Sequence, residues 1–154
     1  MAESGTSRWP AYARVPPFLP VPLRARADGW TPARQARFVG LLAETGSVSA
    51  AARAVGMSRV AAYRLRERAG AESLAHAWDT VMALHRGKLR ASGDLPRRKV
   101  TAGELAELAD EGAFHVLVRN RRFVGATRKP SDSALLRHLR RLDAAAARGG
   151  WDRR

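Results

Sequence analysis

A chain of 154 residues with 45% apolar composition can bury one core, as a single domain or a small domain with appendages. Its 28 Lys and Arg against 14 Asp and Glu leave a formal charge of +14, which favours a polyanionic partner, either nucleic acid or an anionic membrane surface. Cysteine is absent, which excludes disulfides, thiolate metal sites and cysteine nucleophiles; no run approaches the ~18 apolar residues of a membrane span, and the N-terminus lacks the apolar core of a signal peptide. A cytoplasmic, nucleoid-associated protein is the expectation. Nearly all of the positive charge is arginine, with Lys88, Lys99 and Lys129 the only lysines, a pattern that a GC-rich coding bias would also give.

Residues 1–29 are rich in proline, which removes backbone donors and pushes preceding residues away from helix. They read as a disordered Pro/Arg-rich arm of net charge +2, a mobile tail rather than a packed element. From Trp30 the character changes. Thr31 before Pro32 is an N-cap with proline in the first turn, and Phe38, Leu41 and Leu42 recur at helical spacing, so a helix is expected over about 32–44, stopped by Gly46. Ser47 can cap a second, short helix with Val48, Ala51, Ala52 and Val55 on one face, ended by Gly56; Ser58 can cap a third that runs to Gly70. A fourth is expected over about 72–89, with Leu74, Trp78, Val81 and Leu84 or His85 in a stripe.

The segment 91–98, with glycine and proline close together, reads as a linker between a module at 30–90 and an appendage at 99–147. In the appendage Thr101 and Glu104 form a capping box for a short helix closed by Gly112. Two runs, 114–118 and 122–124, with Asn120 between them, predict a β-hairpin. Ser131 then caps a last helix with Leu135, Leu136, Leu139 and Leu142 on one side and Arg137, Arg140 and Arg141 on the other, before a frayed tail at 148–154. Because an isolated hairpin is marginal in water, that leucine stripe is its expected cover. The fold class is therefore mainly α: a homeodomain-like helix-turn-helix bundle, then a small helix, a hairpin and a C-terminal helix.

The second and third helices carry the functional signal. A helix-turn-helix needs a small residue where the helices pass closely and a turn residue free to take positive φ; Ala52 and Gly56 supply these, with Val55 and Met57 as core plugs beside the turn. If Ala62 and Leu65 turn inward, the outward face holds Ser58, Arg59, Val60, Tyr63, Arg64 and Glu67. Arginine can pair bidentately with guanine, Val60 can touch a thymine methyl and Ser58 can hold a phosphate at the helix start. Arg53, Arg66 and Arg68 lie where phosphate contact is expected rather than base readout. The competing reading is an ordinary helical hairpin whose arginines form a solvated face.

At these residues a resemblance appears. Residues 30–81 resemble the homeodomain-like helix-turn-helix region of bacterial and phage terminase small-subunit-like proteins: Arg37 and Phe38 in the first helix; Glu44, Thr45, Gly46, Val48, Ala51, Ala52, Gly56, Ser58, Tyr63, Leu65 and Arg66 across the motif; and Trp78 with Asp79 in the fourth. The resemblance covers about a third of the chain. It implies a trihelical DNA-binding core, and in phage relatives an oligomeric ring that engages the packaging ATPase. Those relatives follow the module with a helical oligomerisation region, whereas this chain continues into a capped helix, a hairpin and one arginine-flanked helix.

Other chemistry is weakly represented. His76, His85, His115 and His138 have no metal-ligand spacing, and Glu104, Glu107 and Glu111 share a helix face as solvated acids do. No nucleophile elbow, phosphate loop or zinc-protease helix occurs, so neither an enzyme nor a cofactor is expected. Trp30, Phe38 and Trp78 read as core aromatics. The expected function is double-stranded DNA binding by a bacterial regulatory or related protein, with a homodimer or higher oligomer as a possible assembly. The alternatives are a packaging adaptor forming a ring, and a basic membrane-surface protein inserting Leu135, Leu139 and Leu142, a role for which the alanine-rich end of that helix is poorly suited.

Overall fold

The structure is a computed structural model that describes residues 15–24, 26–86 and 99–149. Residues 1–14, the end of the fourth predicted helix, the linker and the last residues of the tail lie outside the described residues. The chain is mainly helical: α1 (Pro32–Thr45), α2 (Val48–Ala54), α3 (Arg59–Arg66), α4 (Glu72–His85), α5 (Ala102–Asp110), a hairpin of β1 (Ala113–Arg119) and β2 (Arg122–Lys129), and α6 (Asp132–Gly149).

Local chemistry sets these bounds. Thr31 Oγ1 accepts from the N–H of Arg34 at the start of α1, Ser47 Oγ from Ala50 at α2, Ser58 Oγ from Ala61 at α3 and Ser131 Oγ from Ala134 at α6. Thr101 and Glu104 close a full capping box on α5, each side chain bonding the other's backbone. α3 stops at Arg66 rather than continuing to Gly70, and α6 runs through 148 and 149 where a tail was expected.

The core is organised around α1. Phe38, Val39 and Leu42 are fully buried, with Ala51 and Ala52 of α2, Ala62 and Leu65 of α3, and Leu74, Ala77 and Val81 of α4. Edge-on and tilted aromatic contacts run from Trp30 to Phe38 (5.3 Å) and from Phe38 to Trp78 (5.0 Å). The aromatic spine is thus core material, as its spacing implied.

Two expectations are corrected. Residues 15–23, placed in a mobile arm, instead form a strap in which Val15, Phe18, Leu19, Pro20 and Val21 are buried. Proline content argues against helix but not against packing. The four prolines from Pro16 to Pro22 leave few donors, and those of Phe18, Leu19 and Val21 all find partners: the Phe114 carbonyl (3.3 Å), Ser73 Oγ (2.8 Å) and Gln35 Oε1 (2.7 Å). Gln35, fully buried in α1, also donates to the carbonyls of Val21 and Trp30.

The second correction concerns the hairpin. Its cover is α1, not α6. Val116 is buried and Phe114, Val118 and Phe123 pack against the core, while α6 lies on α5 through Ala134 and leaves Leu135, Leu136, Leu139 and Leu142 exposed. The strands are antiparallel, with a bulge opposite Leu117 and Val118 that shifts the phase of β2, so Phe123 and Arg128 stand opposite Val118 and Phe114 on the core side. Gly40 makes this docking possible. A Cβ at that position would overlap the ring of Phe123, so a residue that costs about 1 kcal/mol of helix propensity gives the ring its bed. The N–H of Phe123 donates to Glu44 Oε2 (2.8 Å), and the N–H of Phe114 donates to the Phe18 carbonyl (2.9 Å), so the hairpin is tied at both ends.

At the base of the hairpin Arg128 lies over the Phe114 ring (4.9 Å), donates to the Gly112 carbonyl (2.9 Å) and pairs with Glu111 (2.7 Å) and more distantly Glu107 (3.9 Å). Burial raises the Glu107 carboxyl above its ordinary value, Arg128 opposes the rise, and Glu111 and Glu104 add to it.

Gly40→Ala should lower stability by about 1 kcal/mol net in the native background, because overpacking of about 1–3 kcal/mol exceeds the helix gain. In a Phe123→Ala background the same change should stabilise; equal effects in both, measured by urea unfolding, would show that the ring does not rest on α1. A raised acid favours the folded state fully only below its unfolded value of 4.5, and that contribution is lost as pH rises through the higher folded value. Glu107→Gln, which mimics the protonated form, should therefore melt at or above the wild type at pH 7, the difference closing below about pH 4. A variant less stable at pH 7 would mean that the attraction of Arg128 outweighs burial.

Candidate nucleic-acid interface

The turn between α2 and α3 is built as a helix stop. The N–H of Met57 returns to the Ala52 carbonyl (2.9 Å) and that of Gly56 to Arg53 (3.0 Å), the paired bonds that close a helix when the intervening residue is left-handed. Gly56 takes that conformation, with φ of 77°. Val55 is buried and Met57 is half-buried against the core beside it. An alanine at Gly56 would meet no steric neighbour, but its backbone would carry the left-handed penalty of about 1–2 kcal/mol.

From this turn α3 runs with Ala62 and Leu65 fully buried. That register decides which side chains face outward. Ser58, Arg59, Val60, Tyr63, Arg64 and Glu67 are all exposed, Val60 at 58% and Tyr63 at 39%, away from the buried Ala62 and Leu65. Tyr63 is held at its edge: its ring contacts Trp78 at 5.4 Å, and the Arg59 guanidinium sits 5.6 Å from its centroid. A large hydrogen-bonding ring and a cation are thereby presented together. Ser58 remains able to donate its hydroxyl proton outward while its oxygen caps α3.

Arg53 and Arg68 are exposed at the flanks of this face. Arg66 is not free in the same way. It pairs with Asp79 (2.6 Å), lies over the Trp78 ring (5.3 Å) and is half-buried, and the hydrogen bond with Asp79 raises its pKa further. The structure gives Arg66 a role in the fold that the sequence did not show: it fastens α3 to α4. The resemblance quoted both Arg66 and Asp79, but spacing alone did not show that they pair across 13 positions.

A second group of cations escaped the motif reasoning. Arg119, Arg121 and Arg122 surround Asn120 at the hairpin tip, all exposed. The signal was present as three arginines in four residues, but it was absorbed into the general charge. The candidate metal sets do not converge: Glu104 caps α5, Glu107 and Glu111 face Arg128, and His85 Nε2 meets the Ala43 carbonyl. Among the described residues no group of three His, Cys, Asp or Glu stands close enough to hold a metal, and no helix is long and apolar enough to cross a membrane. Comparisons with family models, curated proteins and solved structures give no significant match to this chain.

The Arg66–Asp79 pair is partly exposed, so a double-mutant cycle with alanine at both positions should return a coupling of about 0.5 kcal/mol. Arg66→Ala should cost more than Asp79→Ala, because it also uncovers Trp78. Equal single costs in urea unfolding would show that the stacking contributes nothing.

Proposed function

We propose that this protein binds double-stranded DNA by laying α3 in the major groove, as a bacterial DNA-binding or regulatory protein would. The observation that carries the reading is the register of α3. Ala62 and Leu65 are wholly inward, and the opposite flank, with two arginines, a tyrosine and a valine, is exposed, with Tyr63 resting against Trp78 at one edge. An ordinary solvated helix face has no need of a tyrosine braced against a core tryptophan with an arginine stacked on it.

In this reading Arg59 and Arg64 donate in pairs to guanine O6 and N7, and Tyr63 supplies a hydroxyl and an apolar ring edge beside them. Val60 suits the thymine methyl. Glu67, at the far end of the face, can accept from a cytosine amino group. Ser58 at the helix start and Arg53 and Arg68 at the flanks fix the register on the phosphates without reading sequence. The formal charge of +14 supplies the long-range attraction that brings a duplex to this face. A single helix of eight residues reads few base pairs, so a pair of copies on a repeated half-site is the natural assembly.

Arg59→Ala with Arg64→Ala should weaken binding to a site selected from a random duplex pool by on the order of 100-fold, since each bidentate contact contributes about 1–3 kcal/mol. The circular dichroism spectrum should not change, because both side chains are outward. Unaltered affinity in a gel-shift titration would rule the reading out.

A further inference from the structure

The hairpin tip is an unusual place to put charge. Arg119 and Arg122 are directly opposed across the strands, a like-charge pair that weakens a hairpin. Between them Asn120 and Arg121 both take positive φ, 50° and 65°, the two-residue turn for which Asn-Gly is the favoured sequence. Asn120 suits its place; Arg121 sits in a left-handed conformation that a β-carbon disfavours, where glycine would be at ease. Three guanidiniums therefore stand together against local stability, and none of them forms an ion pair among the described residues.

The tip is also held in place. The Phe123 N–H on Glu44 and the Phe123 ring on Gly40 fix it beside the C-terminal end of α1, at the corner that leads through Gly46 to Ser47 and α2. In the three-helix, homeodomain variant of a docked helix-turn-helix the loop between the first two helices contacts the sugar-phosphate backbone. The seven residues of α2, at ~1.5 Å each, separate the corner from the turn at Gly56 by roughly 10 Å, comparable to the ~12 Å width of the major groove. With the start of α3 in the groove, the tip falls toward the phosphates that border it.

We infer that Arg119, Arg121 and Arg122 form a second contact with duplex DNA, gripping the phosphate backbone beside the groove that α3 enters and contributing affinity without base preference. This rests on the helix-turn-helix reading above. Glu44, which accepts from the Phe123 N–H beside the tip, offers one formal carboxylate charge against three guanidiniums, so an excess of positive charge remains there.

The test compares the full chain with a variant carrying Arg119→Gln, Arg121→Gly and Arg122→Gln, by fluorescence anisotropy on the selected duplex and on scrambled duplexes over a range of salt. Each lost phosphate contact should reduce the slope of log affinity against log salt by about 0.9, so a fall of about 2–3 is expected. Affinity for all duplexes should drop by roughly tenfold or more, with their ranking unchanged. Removing the left-handed arginine should hold the Tm level or raise it by about 2 °C, which shows that the variant folds. An unchanged salt slope, with Arg59→Ala and Arg64→Ala still weakening binding, would overturn the tip contact and leave the helix reading standing. A wild-type chain that binds no duplex even at low salt would overturn both.

Discussion

The rotational setting of α3 is the constraint on which the rest depends. A helix of eight residues has little stability of its own, since nucleation fixes several residues for one hydrogen bond and isolated helices of this length do not persist in water. It exists because Ala62 and Leu65 are taken into the core and Arg66 is fastened to Asp79 over Trp78. Rotating α3 by one residue, about 100°, would expose Leu65 and bury an arginine without a partner, at a cost of several kcal/mol. The outward face is thus fixed by what the inward face must bury. The aromatic sequence Trp30, Phe38, Trp78 and Tyr63 makes the link visible, because its last member is at once the edge of the core and part of the exposed face.

α1 holds the remaining pieces in relation to that face. One side meets α2 and α4, another accepts the hairpin at Gly40 and Glu44, and Gln35 ties the N-terminal strap to the same helix. A fully buried amide is costly unless its bonds are made, and Gln35 makes three: one accepted from Val21 and two donated, to Val21 and Trp30. This satisfies the strap's backbone as a neighbouring strand would, without requiring donors that proline lacks. Strap, α1 and hairpin thereby form one packed unit, and the tip of the hairpin has a fixed place relative to α2.

Much of this organisation was legible in the chain, and the legible parts share a cause. Thr31, Ser47, Ser58, Thr101 and Ser131 act within three residues of themselves, and Gly56 and Asn120 need only a local backbone conformation, so short-range chemistry identifies them. The outward side chains of α3 followed from a helical period anchored at two apolar residues. What escaped was set at long range. The strap depends on Ser73 and Gln35, 54 and 14 positions away from their partners, and the hairpin's bed depends on Glu44, 79 positions from Phe123. The leucine stripe of α6 was an apolar face of the right size in the wrong place. Nothing in its sequence records that α1 offers a flat glycine to an aromatic ring.

The structure also separates two kinds of arginine that composition merges. Arg34 donates to the Gly29 carbonyl, Arg66 and Arg128 hold carboxylates and rings, Arg141 reaches the Val100 carbonyl, and Arg137 and Arg148 return to carbonyls of their own helix. These guanidiniums act as donors for the fold, a task their five N–H groups suit better than a lysine would. A coding bias toward arginine could supply them without any partner in view. Arg53, Arg64 and Arg68 on the α2–α3 unit and Arg119, Arg121 and Arg122 at the tip have no such engagement among the described residues, nor do Arg24, Arg26, Arg37, Arg86 and Arg140 elsewhere on the surface, and Arg59 touches only the tyrosine beside it. Idle arginines are thus spread over the described surface, as a coding bias would leave them, and those at the tip differ in standing where opposed charge and a left-handed backbone both disfavour them. Composition alone therefore does not account for the tip, where Asn-Gly would serve the turn better and an uncharged pair would serve the strands better.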